Sequence, residues 1–237
     1  MTRAYQSVLL LVVGVALGSI TVDGRYLNYL KPAMHIPLVL AAVAFIVIAV
    51  AELVALRRTP VVADDIPCGG GDEHEHGLPR AGWLLVLPVL AIGFIAPPAL
   101  GSWAAERDPG TVAEPDSSDF AALPTGDPAR IPLSEYGVRA VWDDGRTLAG
   151  RTVELTGFVS PRKGGGWYLT RMTLSCCAAD ALATKVEVRG AAPPQTDTWV
   201  RVVGRYAASD AANPSLAVPV VEATEVSPVD EPANPYE

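Results

Sequence analysis

The chain has 237 residues, half of them hydrophobic, and a formal net charge of −8. An acidic balance of that size disfavours a nucleic-acid partner, and apolar content crowded into the first hundred residues excludes a single water-soluble globule. The expectation is an α-helical membrane anchor followed by a small soluble domain.

Three apolar runs, at 8–22, 36–56 and 82–103, approach the roughly 20 residues that cross a hydrocarbon core about 30 Å thick. None carries a polar stripe of helical period, so all three predict transmembrane helices rather than soluble core helices. A signal peptide is the rival for the first run, and the two runs that follow favour a multi-pass anchor. Glu52 falls near the end of the second run, within snorkelling distance of the interface, and Trp83 and Trp103 flank the third as an aromatic belt would. Arg3, Arg57, Arg58 and Arg80 fall on one side of these spans, and Arg25, Lys31 and Arg107 on the other. That bias predicts a multi-pass protein of the cell membrane with a cytoplasmic N-terminus and an extracytoplasmic C-terminal domain. The expected organisation is a three-span region over 1–104 with a cytoplasmic loop at 57–81, a flexible linker at 105–130, and an external β domain at 131–237.

The linker expectation rests on a stretch rich in Pro, Asp and Ser with no sustained period. A helix is expected from about residue 131, with Ser134 as its N-cap, apolar Tyr136, Val138, Val141 and Trp142, and Gly145 as its stop. Five β-branched or aromatic runs follow, at 152–160, 167–174, 184–189, 199–206 and 217–226, each bounded by turn residues. Gly164, Gly165 and Gly166 mark a hairpin loop, and Gly157 and Gly204 sit inside strands as bend or bulge points. This spacing predicts a small all-β domain, an OB-like five-stranded barrel, with a two-sheet sandwich as the alternative.

Two constellations can carry chemistry. The first is the loop "CGGGDEHEHG", where Cys68, His74 and His76 offer one thiolate and two imidazoles suited to zinc. Its spacing is not that of a zinc finger, and a solvated charged loop is the competing reading. The second is "LSCCAAD", with adjacent Cys176 and Cys177 and nearby Asp180. Three readings stand for that pair. One thiol can face the barrel core as a small hydrophobe while the other faces out. The two can close a vicinal disulfide of strained geometry. Or they can hold a thiophilic metal ion, with Asp180 as an oxygen donor.

Other chemistry is sparse. Neither a phosphate-binding glycine loop nor a histidine occurs in the soluble part, which removes Ser-His and Cys-His hydrolases, so no enzyme is expected. His35, beside Met34 at the mouth of the second run, reads as an interfacial residue. Trp167, Tyr168, Trp199 and Tyr206 read as core and rim of the barrel rather than a nucleic-acid platform.

The N-terminal runs, "CGGGDEHEHG", "LAGRTVELTGFV" (148–159), "LSCCAADA" (174–181) and "PANPYE" (232–237) are spread along the chain and carry a family resemblance that covers essentially all of it. In these features it resembles the YcgQ-like family of two-component permease subunits, which join N-terminal spans to a C-terminal domain of unknown function. The resemblance implies a larger polytopic permease as partner and a link to metal-ion handling, with zinc as the ion. The leading expectation is therefore an accessory permease subunit, with Cys176, Cys177 and Asp180 as an external ion site and Cys68, His74 and His76 as an internal one. A membrane-tethered thiol-redox protein and a structural envelope-assembly module are the alternatives. The absence of a C-x-x-C motif counts against ordinary thioredoxin-like chemistry.

Overall fold

The computed structural model describes residues 2–58, 98–115, 117, 120–211, 213 and 217–237. Two compact units emerge. One joins Met1–Tyr26 to Pro32–Pro98, and the other joins Leu27–Lys31 to Ala99–Glu237.

The first unit is a pair of apolar helices, α1 (Thr2–Val22) and α2 (His35–Arg58). Ala4–Val22 and Pro32–Arg58 are long and apolar enough to cross a membrane. Val15, Ile36, Leu40 and Val47 project from them uncovered, a distribution suited to lipid and costly in water. Where α1 and α2 meet, small residues let the backbones approach. Ala42 and Ala49 are buried, and a Cβ on Gly14 would come within 2.8 Å of the Ile46 side chain and 3.1 Å of the Ala42 carbonyl oxygen. Ser7 Oγ donates to Glu52 Oε2 at 2.7 Å, so the acidic residue of α2 has a polar partner on α1. The Tyr26 and His35 rings meet at 5.5 Å, at the mouth where His35 was expected. Among the described residues there are two candidate spans, where three were expected. The third, at 82–103, lies outside the described residues up to position 97, as does most of the loop at 57–81.

In the second unit, β2 (Thr152–Pro161), β3 (Trp167–Thr173), β4 (Leu182–Arg189), β5 (Trp199–Ala207) and β6 (Val220–Pro228) form a closed five-stranded barrel. β2 pairs antiparallel with both β3 and β5, β4 pairs with β3 and in parallel with β6, and β5 pairs with β6. A two-residue strand β1 (Ala129–Arg130) runs parallel to β2. All five runs expected from the sequence are strands.

Closure depends on how β2 bends. Its first half alternates, with Val153 and Leu155 inside; beyond Gly157, Phe158 and Val159 are both buried. Val159 joins the barrel core with Leu155, Leu169, Val186, Val200 and Val202, while Phe158 faces a second cluster with Met172, Leu174, Ala183 and Tyr236. Gly157 sits where β2 passes from β5 to β3, and a Cβ there would stand 2.5 Å from the Thr170 carbonyl oxygen. Gly204 occupies a register shift between β5 and β6. Both glycines are thus required by close backbone approach.

Helix α3 (Leu133–Trp142) packs Leu133, Tyr136 and Ala140 onto this core, and Tyr136 Oη donates to the Val220 carbonyl at 2.5 Å. Ser134 lies inside the helix rather than capping it. The cap comes from Glu237, whose two carboxylate oxygens accept the N–H groups of Leu133 and Ser134 at 2.8 and 2.9 Å.

The described residues of 105–130, expected as a linker, carry little regular structure, and individual groups among them are anchored to the barrel unit. Asp108 Oδ2 accepts the Ala183 N–H at 3.1 Å, the Val112 carbonyl accepts Trp142 Nε1–H at 3.2 Å, and Leu123 is buried in the main core. Just before them, both oxygens of Asp197 hold Ser102, at 2.7 and 2.9 Å.

Candidate functional site

β3 ends at Thr173 and Leu174 is the last buried residue before the chain turns. The bend at 175–177 leads into a single 3-10 turn, Ala178–Asp180, and β4 starts at Leu182. Neither thiol is therefore part of a strand that alternates into the core. Cys176 is exposed, Cys177 is half-buried, and both are free.

What shapes this turn is the Asp180 carboxylate. Oδ1 accepts the Ser175 N–H at 2.8 Å, and Oδ2 accepts the N–H groups of Cys176 and Cys177 at 2.8 and 3.3 Å. The Cys176 thiol donates to the same Oδ2 at 2.9 Å. In return the Asp180 N–H points to the Cys177 sulfur, completing a reciprocal capping box with cysteine as the cap. An aspartate three residues after the cap thus fixes both sulfurs on one side of the turn.

These bonds set the protonation states. Donation to the Asp180 anion, followed by contact with Cys177, pushes the Cys176 thiol up to about 11. The same thiol bond, followed by the backbone N–H groups, holds the Asp180 carboxyl down at about 2. At neutral pH the site is a protonated thiol held against an ionised carboxylate.

One ligand atom from each of Cys176, Cys177 and Asp180 lies within 4.8 Å of the others. Two sulfurs and a carboxylate oxygen suit a thiophilic divalent ion, and three donors leave a tetrahedral ion one position to fill from water or another chain. Of the residues expected to act together, the structure brings these three into one turn. Cys68, His74 and His76 lie outside the described residues.

The turn is paired with a distant segment of its own unit. Leu30 forms an antiparallel bridge with Cys177, the Lys31 N–H donates to the Cys176 carbonyl at 3.3 Å, and the Ala178 N–H donates to the Tyr29 carbonyl at 2.8 Å. Residues Leu27–Lys31, which join α1 to α2, are in this way an added edge of the cysteine turn. Close by, buried Tyr236 donates its hydroxyl to the Asn28 carbonyl at 2.8 Å and accepts the Leu100 N–H at 3.0 Å. The segment bearing Tyr236 is itself held by Glu237 N–H on the Met172 carbonyl at 3.0 Å and by Arg171 on the Asn234 carbonyl at 3.0 Å.

Residues 138–237 match the family model of the DUF1980 C-terminal domain. The match begins inside α3 and takes in the whole barrel from β2 to β6, the cysteine turn, Tyr236 and Glu237. No curated protein matches the chain. The DUF1980 C-terminal domain therefore contains every residue of the thiol-carboxylate site, while Leu27–Lys31, which pairs with it, lies outside the matched stretch.

Sequence reasoning placed the site's three side chains but missed Tyr236 and Leu27–Lys31. For Tyr236 the available signal was a lone aromatic among prolines in an otherwise polar tail, "PANPYE". For Leu27–Lys31 no local pattern marks pairing with a partner about 150 residues away, because the bonds are made by backbone groups common to every sequence.

Proposed function

We propose that this chain is a non-enzymatic accessory subunit of a membrane permease, whose OB-like barrel captures a thiophilic divalent ion, zinc by preference, at Cys176 and Cys177. The observation that carries this reading is the convergence of two free thiols and an ionised carboxylate within 4.8 Å on one exposed turn. The ion is cargo. Its binding displaces the thiol protons of Cys176 and Cys177 to solvent, and the freed Asp180 oxygen becomes a third donor or continues to brace the turn through its backbone bonds. Three donors without a fourth favour capture that is reversible, which suits hand-over to a larger polytopic permease.

A thiol-redox role fits less well. Reactive cysteines have lowered pKa values, and Cys176 is displaced in the opposite direction.

Chain connectivity and the arginine bias support an extracytoplasmic position for the site. Leu27–Lys31 lies between α1 and α2 and pairs with the cysteine turn, so the turn and that connection share one side. If α1 and α2 each cross the bilayer, Arg58 emerges on the opposite side. With the arginine bias placing the N-terminus in the cytoplasm, the cysteine turn is extracytoplasmic and Cys68, His74 and His76 are cytoplasmic.

The test is Cys176→Ser with Cys177→Ser in the intact chain. The expected outcome is loss of permease-dependent growth under metal limitation, with membrane insertion and co-purification of the permease retained. Unchanged growth of the inserted double variant contradicts the capture role.

A further inference from the structure

We propose that a cleft on the outer face of β3 and β4, lined by Lys185, Lys163, Arg162 and Tyr168, binds a small organic monocarboxylate, with the carboxylate on the Lys185 ammonium.

Trp167, Leu169 and Val186 alternate into the barrel core, which puts Tyr168 and Thr170 of β3 and Lys185 of β4 on the outer face, with Thr170 directly opposite Lys185. A lysine on the outside of a small barrel is ordinarily solvated. Lys185 is only 9% exposed, because the segment from Asp108 to Gly110 crosses it. A Cβ on Gly110 would stand 2.7 Å from Lys185 Cδ, and Lys185 Nζ donates to the Asp108 carbonyl at 2.5 Å. That neutral oxygen is its hydrogen-bond partner, and among the described residues Lys185 makes no ion pair. The Asp108 carboxylate is turned to backbone instead, Oδ1 accepting the Gly110 N–H at 2.6 Å and Oδ2 the Ala183 N–H at 3.1 Å. Burial lowers the Lys185 pKa, against the pull of Asp108 and Glu106, and Lys163 adds to the lowering. An ammonium has three protons to donate, so the remaining ones face the cleft, where an anion offsets the cost of burying the charge.

The cleft holds about 350 Å³, enough for a small organic molecule. Arg162 and Lys163 reach it from the loop between β2 and β3, and the Tyr168 hydroxyl, without a hydrogen-bond partner among the described residues, offers a further donor. Glu187 behind them is shared by Arg162 and Arg189. Of the lining charges, three are cationic and two, Glu106 and Asp108, are acidic, which leaves one positive charge in a chain of net charge −8. A single carboxylate balances that charge, whereas a phosphate dianion exceeds it. The Tyr168 ring, Pro109 and Pro161 supply apolar walls for a compact body behind the carboxylate.

The experiment titrates the full chain in detergent, in buffer free of carboxylate and phosphate, with benzoate and with benzamide as its uncharged match, read by saturation-transfer NMR. Expected is binding of benzoate without binding of benzamide, and a Kd for benzoate raised about tenfold in Lys185→Met, which keeps the length of the stem, and less in Lys163→Ala. A second measurement needs no variant. The lysines of the chain are Lys31, Lys163 and Lys185. Reductive methylation by formaldehyde and a borane, read by peptide mass, is expected to slow severalfold at Lys163 and Lys185 when benzoate is present and to stay unchanged at Lys31. Equal response to benzoate and benzamide, or methylation of Lys163 and Lys185 that benzoate does not slow, overturns the proposal. Inorganic phosphate that displaces benzoate at concentrations below the benzoate Kd overturns the assignment of a monocarboxylate.

Discussion

The Cys176 thiol donates a hydrogen bond of 2.9 Å to Asp180 Oδ2, so the thiol best exposed for chemistry is held in its protonated form. In Asp180→Asn the anion is gone, and the Cys176 thiol is expected to fall from about 11 toward its ordinary 9.0. The rate of iodoacetamide alkylation against pH, read by peptide mass, measures this directly. An unmoved midpoint refutes the assignment of Asp180 as the group that controls the thiol.

The same pair predicts the pH window of the turn. A raised thiol stabilises the fold below its unfolded value of 9.0, and that contribution disappears as pH rises through about 11. A depressed carboxyl stabilises above its unfolded value of 3.8, and its contribution is lost as pH falls through about 2. Amide hydrogen exchange at Ser175 and Cys177, corrected for intrinsic rates, is expected to show steady protection between these limits and loss beyond them. Protection that declines steadily across the neutral range is inconsistent with this linkage.

Tyr236→Phe removes one hydroxyl that serves both the Asn28 carbonyl and the Leu100 N–H. Leaving those groups unpaired is expected to destabilise the barrel unit by about 1–3 kcal/mol. The effect should appear as a lower Tm in detergent and as faster exchange of the Leu100 amide, with α1 and α2 still helical by far-UV dichroism. A variant with native exchange at Leu100 shows that the hydroxyl does not anchor this end.

Gly157→Ala places a methyl 2.5 Å from the Thr170 carbonyl oxygen, a backbone atom that moves only if β2 and β3 separate. Overpacking at such a point is expected to cost about 1–3 kcal/mol, read as a shift in denaturant midpoint. Tolerance of alanine there requires a different route for β2 through the barrel.

How much of this was legible beforehand depends on the range of the interaction. Strand existence and order of appearance follow from alternating β-branched residues such as Val153, Leu155 and Val200, a signal carried locally, and all five strands were anticipated. Gly157 and Gly204 were readable as bend points because glycine inside a strand has few other causes. The N-cap of α3 was misassigned to Ser134, since Glu237 supplies it across more than a hundred residues and no local motif announces that. The anchors of 105–130 were invisible for a similar reason: Asp108 and Leu123 act singly, without a period to detect. At the site, Cys176, Cys177 and Asp180 were grouped by proximity in sequence, but the role of Asp180 as cap and proton acceptor needed its geometry. A serine or asparagine is the usual cap, and a cysteine in that position gives no ordinary signal.

The central claim is that Cys176 and Cys177 hold a thiophilic ion, and metal analysis of the purified full chain tests it most directly. After zinc loading and removal of excess, the native chain is predicted to carry one equivalent of zinc more than Cys176→Ser with Cys177→Ser. That difference should shrink as pH is lowered, because ligation must displace the Cys176 proton. Equal zinc in the native chain and the double variant at every pH contradicts the account.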